Sequence, residues 1–362
     1  MGLSLSTPER VARARADLRI GAPVALETSA GGALVMAAEL ATPDRLAAMA
    51  RLGPIDLALS ARRAATLKIA PYDGDLVRLA VAPDIDPARL RATIDPSRAL
   101  ETPLVGPFPA RREGPSEAHR LALRLAKQAR LLPAALVVPV DDVAALAGPL
   151  GLTRVAPEDL DDADGFAVRL RCVSVARVPL EVAENARIHV FRPADGAEEH
   201  YAIEIGSPPR GAPVLSRLHS ACFTGDLAGS LKCDCGPQLR AALDQIGADG
   251  AGVLLYLNQE GRGIGLANKL RAYALQDSGF DTVEANHRLG FEDDELDFRL
   301  GTAILSAMGF SAVRLMTNNP GKVAAMRAAG IAVSERVPLK VGLNPHNAGY
   351  LAVKAAKSGH LL

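Results

Sequence analysis

A chain of 362 residues is too long for one ordinary domain, and with 49% hydrophobic residues it can bury two cores. Its 41 basic and 41 acidic side chains cancel to a formal net charge of +0, which excludes a non-specific polyanion binder, because such binding rests on a basic surface. With no tryptophan and only 4% aromatic residues, it also lacks the rings and the basic patch that an RNA-binding protein stacks bases on. No apolar run reaches the length of a membrane span, and the N-terminal "MGLSLSTPERVARARADLRIG" lacks the apolar core of a secretory signal. Four cysteines in so long a chain do not make a disulfide framework, so a reducing cytoplasm is the expected compartment.

Residues 8–20 predict an amphipathic helix, and "APVALE" a strand. "LVMAAELATPDRLAAMARLG" carries apolar residues at helical spacing, with Pro43 at a helix start. "EAHRLALRLAKQARLLPAALVVPV" reads as helix, turn and buried strand. "GLTRVAPEDLDDADG" is acidic and loop-like, and the domain boundary is expected near residues 180–187, giving domains 1–182 and 183–362. Beyond it "RIHVF" and "HYAIEIG" predict strands. "GPQLRAALDQIGADG" is a helix with Pro237 in its first turn and Gly247 or Gly250 at its end. "GVLLYLNQ" reads as a buried strand, "GLANKLRAYALQDSG" and "DFRLGTAILSAMGF" as helices, "AVRLMT" as a strand and "NNPGKVAAMRAAG" as turn and helix. Strand and helix alternate, so the class is α/β (α+β) in two domains.

Cys222, Cys233 and Cys235 fall in one short stretch, spaced C-x10-C-x-C. Two thiolates one residue apart can approach one ion from a tight turn, and a third from upstream can close the face. Zinc prefers sulfur in tetrahedral geometry; structural sites use four protein ligands and catalytic sites leave one position open. The spacing alone leaves three readings open: a catalytic zinc, a structural zinc completed by His219, and unrelated buried thiols. "QEGRGIG" follows a predicted strand, where glycines let backbone N–H groups approach an anion. "TNNPGK" likewise joins a strand to a helix start, with Thr317 and Lys322 at the junction. Neither is a P-loop, since the glycine-lysine-serine or -threonine signature is absent.

Taken together, "RLHSACFTGD", "SLKCDCGPQL", "NQEGRGIGLANKLRAYALQD", "DTVEANHRLGF", "TNNPGKV", "ERVPL" and "KSGHLL" make residues 187–362 resemble GTP cyclohydrolase II. That resemblance implies hydrolysis of GTP with loss of formate from the imidazole ring and release of pyrophosphate. It implies one Zn2+ per chain on Cys222, Cys233 and Cys235, Mg2+ with the GTP phosphates, and a homodimer. It places Arg217, Leu218, His219, Ser220, Gln238, Glu260, Gly261, Arg262, Thr282, Thr317 and Lys322 at the nucleotide. Tyr273 then stands near the opening ring and Asp294 is the proton acceptor. His287 and Asn286, inside "EANHRLGF", have no expected role beyond shaping a loop.

Two positions depart from the family pattern. Where it reads D-x-R-D, this chain has Asp294, Glu295, Leu296 and Asp297, so Leu296 replaces the arginine assigned to the α-phosphate. Leucine has neither charge nor donor, and Arg299, on the same face if the segment is helical, is the candidate substitute. Ala221 replaces a glutamate before the first cysteine. The alternative reading is therefore a zinc- and GTP-binding homologue with lost or altered turnover.

Residues 10–175 resemble a degenerate 3,4-dihydroxy-2-butanone 4-phosphate synthase, through "ALVMAAELATPDRLAAMARLG" and, more weakly, "RATIDPSR". That family enters this motif through an acidic stretch, but here the stretch reads "LETSAGGALVMAAE", with only Glu27 and Glu39 nearby. Without clustered carboxylates there is no hard-cation site, so no butanone phosphate is expected from this domain.

Overall fold

A computed structural model of the protein describes residues 4–82, 84–99, 106–293, 295–359 and 361. The chain divides into two compact units, one of Met1–Asp164 with Ile264–Glu295, the other of Gly165–Gly263 with Leu296–Leu362.

The first unit is built on strands β1 (Val24–Thr28), β2 (Gly31–Ala37), β3 (Ile55–Ser60), β4 (Leu76–Val81), β5 (Ala134–Val140) and β6 (Arg154–Val155), in the order β4-β3-β5-β2-β1-β6. Its helices up to residue 166 are α1 (Thr7–Arg19), α2 (Pro43–Ala50), α3 (Ala61–Thr66), α4 (Pro87–Ile94), α5 (Pro96–Ala99), α6 (Glu117–Gln128), α7 (Val143–Leu150) and α8 (Pro157–Phe166). Successive strand side chains point to opposite faces. Leu34, Met36, Leu136 and Val138 accordingly enter one core, while Ala33, Val35, Ala135 and Val137 enter another with Val11 and Leu125 from α1 and α6. A sheet covered on both faces buries continuous apolar runs rather than alternating ones. The helix expected to start at Pro43 does so, but Leu34–Ala37, read in the same apolar run at helical spacing, belong to β2 for that reason. The acidic stretch expected to be a loop is largely helical, α8 opening on Pro157. Its Asp159 is turned inward and accepts from Arg10, Thr7 Oγ1 (2.9 Å) and the backbone of Ala156 (3.0 Å).

The second unit holds a seven-stranded sheet of β7 (Leu170–Arg177), β8 (Ala186–Pro193), β9 (His200–Ile205), β10 (Val214–Ser220), β11 (Gly252–Leu257), β12 (Ala312–Met316) and β13 (Ala332–Val337), ordered β13-β12-β10-β11-β9-β8-β7. Strands β10 to β13 run parallel, and β7 to β9 complete the sheet antiparallel. The helices of the remaining chain are α9 (Cys235–Asp249), α10 (Leu266–Asp277), α11 (Thr282–Leu289), α12 (Arg299–Ala307), α13 (Pro320–Ala328) and α14 (Ala348–Ser358). Of these, α10 and α11 belong to the first unit. α9 ends at Gly250 in the left-handed region, φ 81°. Among the described residues no helix is long and apolar enough to cross a membrane.

One buried charge sits inside the second sheet. Glu204 on β9 accepts from His189 Nε2 at 2.9 Å and pairs with Arg210 at 2.8 Å and Arg187 at 3.2 Å. Burial alone raises a carboxyl pKa, but the bond to His189 and the two guanidinium groups outweigh it and hold Glu204 at about 2, against an ordinary 4.5. A depressed folded-state value means the stabilisation is present above the ordinary pKa and disappears as pH falls from 4.5 toward 2. We expect it to contribute about 3 kcal/mol at neutral pH. Urea unfolding at stepped pH should show Glu204→Gln less stable at pH 7, with a flatter acid limb than the natural chain.

Candidate active site

Parallel α/β sheets place ligands in the crevice beyond the carboxyl ends of their strands. Three loops leave the second sheet at that edge: Ser220 onward from β10, Asn258 onward from β11 and Thr317 onward from β12. Each carries residues singled out in the sequence.

The loop after β10 folds into a single π-helical turn, Phe223–Leu227, which brings the three cysteines together. Cys222 and Cys233 have their Sγ atoms 3.7 Å apart, and all three Sγ lie within 4.8 Å of one another. Sulfurs on one tetrahedral zinc, each about 2.3 Å from the ion, stand roughly 3.8 Å apart, so the set fits that metal. Gly225 keeps the pocket open: a Cβ there would lie 2.7 Å from Cys233 Sγ and 3.0 Å from Cys222 Sγ. Contact with Cys222 pushes the thiol of Cys233 up, and contact with Cys222 and Cys233, together with burial, pushes that of Cys235 well up. A cation reverses this, since a coordinating thiol is deprotonated. Among the described residues no histidine or carboxylate joins the group. His219, the candidate fourth ligand, is engaged elsewhere.

That engagement centres on Asp226, a residue the sequence reading passed over. His219 Nε2 lies 3.0 Å from both Asp226 oxygens. Tyr256 donates its hydroxyl to Asp226 Oδ2 at 3.0 Å, and the Cys222 N–H donates to the same oxygen at 2.9 Å. Burial holds the His219 pKa down and the ring neutral, with Asp226 pulling the other way, so Nε2 carries the proton toward the carboxylate. Burial and Asp226 push Tyr256 up, keeping it a donor. Asp226 thus anchors Cys222, the first cysteine of the cluster, through its backbone. Its only sequence signal was an acid in "FTGD", and its partners come from three separate places in the chain. Asp226→Asn should lower zinc affinity by about 10–100-fold, the usual cost of losing such a support, read by competition against a chelating dye.

Behind the C-x-C turn, Arg217 and Gln238 are both buried. Arg217 donates to Gln238 Oε1 and, through Nη1 at 3.0 Å, to the Met316 carbonyl. Gln238 Nε2 donates on to Asp234 Oδ2 at 2.5 Å, so the aspartate between Cys233 and Cys235 is tied to the strand edge. Leu218 is core, and its carbonyl accepts from Lys322 Nζ at 3.2 Å. Ser220 is half-buried at the end of β10. Glu260 accepts from the Phe223 N–H at 2.6 Å and from the Gly261 N–H at 3.1 Å, which places it one residue from Cys222. The segment holding it is strained: Gly261 and Arg262 are left-handed at φ 66° and 62°, followed by Gly263 at 93°. A non-glycine residue in that region costs about 1 kcal/mol or more and is typical of functional loops. Thr317 is buried, its hydroxyl accepting from the Asn319 N–H at 3.0 Å where α13 begins.

These residues all lie in the second unit. Thr282 and Tyr273 lie in the first, on α11 and α10. Thr282 Oγ1 accepts from Gln276 Nε2 at 3.3 Å, and Tyr273 stacks under Lys269 at 5.7 Å. Asn286 and His287, expected in a loop, lie in α11, whose N-terminus carries a capping box between Asp281 and Glu284. Asp294 lies outside the described residues. Leu296 and Arg299 do not share a helix, because α12 begins at Arg299 itself. Arg299 closes on Asp297, Nη2 to Oδ2 at 2.7 Å.

The family model for GTP cyclohydrolase II matches residues 171–338. GTP cyclohydrolase-2 of Azospirillum brasilense is 47% identical over 360 residues, covering 97% of this chain and 93% of that protein. GTP cyclohydrolase-2 of Azotobacter vinelandii is 60% identical over 175 residues, covering 48% of this chain and 84% of that protein. Among solved structures, RibBX, a two-domain 3,4-dihydroxy-2-butanone 4-phosphate synthase from A. baumannii, aligns over 91% of this chain and 99% of its own at 17% identity and a TM-score of 0.33, too distant to carry weight. The A. brasilense match runs through both compact units and its sequence identity is high, so the chain is an enzyme of the GTP cyclohydrolase II family.

Proposed function

We propose that the chain hydrolyses GTP to 2,5-diamino-6-ribosylamino-4(3H)-pyrimidinone 5′-phosphate, formate and pyrophosphate, the first step of riboflavin synthesis. The observation that carries this reading is the trio of clustered sulfurs with Glu260 bonded one residue from Cys222, in a chain of this family. Cys222, Cys233 and Cys235 would hold zinc, which would supply a strong nucleophile from water at neutral pH, and Mg2+ bound with the GTP would neutralise its phosphates.

The remaining work falls to the chain's own side chains. Glu260 is placed to read the guanine edge as an acceptor, its carboxylate aimed by two backbone N–H groups. Arg217 and Gln238 fix the C-x-C turn from behind and hold the nucleotide side of β10 in place. Arg262, in its left-handed turn, offers its guanidinium to phosphate. Lys322 and Thr317 offer their side chains likewise at the start of α13. Tyr273 orients the opening ring, Thr282 contacts nucleotide and Asp294 accepts the proton. The N-terminal domain makes no butanone phosphate. A cytoplasmic homodimer completes the reading, with the boundary of the two sequence domains at residues 182/183.

Leu296 favours a second reading, zinc and GTP binding with altered turnover, because no charged group stands at that position. Zinc-loaded protein incubated with GTP and Mg2+, with formate and pyrophosphate measured separately, decides between them. Both products in step support full hydrolysis, formate alone supports a split reaction, and neither product removes the cyclohydrolase reading.

A further inference from the structure

The first unit keeps a complete sheet although it lacks the clustered carboxylates of a synthase, and residues 264–295 are folded into it. Ala272, Leu275, Leu289 and Phe291 share one core with Leu34 and Met36 of β2. Polar clamps sit at both ends of this helix pair. On α10, Asn268 is fully buried and donates to the Arg130 carbonyl at 3.1 Å, while its Oδ1 accepts from Arg271 Nη1 at 2.6 Å. Arg271 then forks, Nε to Asp95 Oδ2 at 3.1 Å and Nη2 to Glu39 Oε2 at 2.7 Å.

At the end of α11, Ser60 Oγ donates to the Gly290 carbonyl at 2.7 Å and Arg63 Nη1 to the Arg288 carbonyl at 3.2 Å. Burial pulls the Arg63 pKa down to about 10, so the group is still cationic at neutral pH. Gly290 is left-handed at φ +93°, and a Cβ there would lie 2.8 Å from Ser60 Oγ and from Pro133 Cγ. So close an approach leaves the corner no slack.

Apolar contact holds two surfaces together without fixing their angle, because it has no direction. A guanidinium fork between two carboxylates fixes direction as well. We propose that the N-terminal domain serves as the mount of α10 and α11, and that Arg271, clasped by Glu39 and Asp95, is a positioning residue that sets the rotation of α10 and hence of Tyr273, two residues on. The proposal rests on the cyclohydrolase reading, in which Tyr273 stands at the opening ring.

The latch lines a cavity of about 300 Å³ together with Arg91 and Arg98, so a Glu39→Gln/Asp95→Asn variant leaves Arg271 facing that space rather than sealed in the core. In the full zinc-loaded chain, Arg271→Ala should lower kcat for formate release by about tenfold, since small misplacements of a reacting group are costly, with KM for GTP and zinc content unchanged. Arg271→Lys should recover part of the loss by pairing with one carboxylate. If Arg271 acts through Tyr273, adding Arg271→Ala to Tyr273→Phe should cost little more, and the amide variant should raise hydrogen exchange over residues 264–295 while leaving β11 protected. Losses that multiply, or an Arg271→Ala chain with the natural kcat, overturn the assignment. Unchanged exchange in the amide variant overturns the mount itself. A natural chain that releases no formate sinks the cyclohydrolase reading, and the role of Tyr273 with it, while exchange still decides the mount.

Discussion

Cys233→Ser is expected to abolish metal binding and formate release together. Cys233 is buried and its sulfur touches that of Cys222 at 3.7 Å; a hydroxyl in its place is harder, shorter and far less acidic than a thiol. With no fourth ligand among the described residues, two sulfurs are left, too few for a stable zinc site. Lewis-acid stabilisation contributes several kcal/mol to such a reaction, so formate release should fall by ~10³ or more. Cys172→Ser is the control, since Cys172 is exposed and outside the cluster. Metal analysis and a formate assay on the same preparations check both halves. Zinc at one ion per chain in Cys233→Ser would remove the three cysteines from the centre.

Leu296→Arg should act on one product only. The family pattern has arginine here, and losing a charged donor to a transition state typically costs ~10²–10³ in rate. The candidate substitute, Arg299, is closed on Asp297 and opens α12 rather than sharing a helix with Leu296. We therefore expect the natural chain to release pyrophosphate more slowly than formate. Leu296→Arg should raise pyrophosphate release by ~10² or more with formate release unchanged, and Arg299→Ala should change neither. Matched release of both products by the natural chain, unaltered by Leu296→Arg, would show that the position carries no phosphate chemistry.

The cysteine trio was legible in the sequence because sulfur chemistry is local: two ligands one residue apart need little help from the fold. The α/β class was legible too, from alternating strand and helix patterns in the second half. What stayed hidden depended on pairings distant in sequence. β2 looked helical because sheet faces covered on both sides erase the period-two signal that marks a strand. α8 looked like a loop because its acids outweighed Pro157 as a signal. The capping box of α11 was readable from Asp281 and Glu284. Asp226 showed only as an acid in "FTGD", since its importance comes from partners at positions 219, 222 and 256. Nor does any periodicity announce that Arg271 would meet Glu39, a pairing 232 residues apart in the chain.

That long pairing also sets a clock. The apolar face of β2 that carries Leu34 and Met36 leaves the ribosome well before α10 and α11, which come more than a hundred residues later and share its core. At ordinary rates of synthesis the wait is on the order of ten seconds. Throughout that interval the part of this core that α10 and α11 cover, rather than α2 and α4, is open to water, which exposes the growing first unit to aggregation and to chaperone capture.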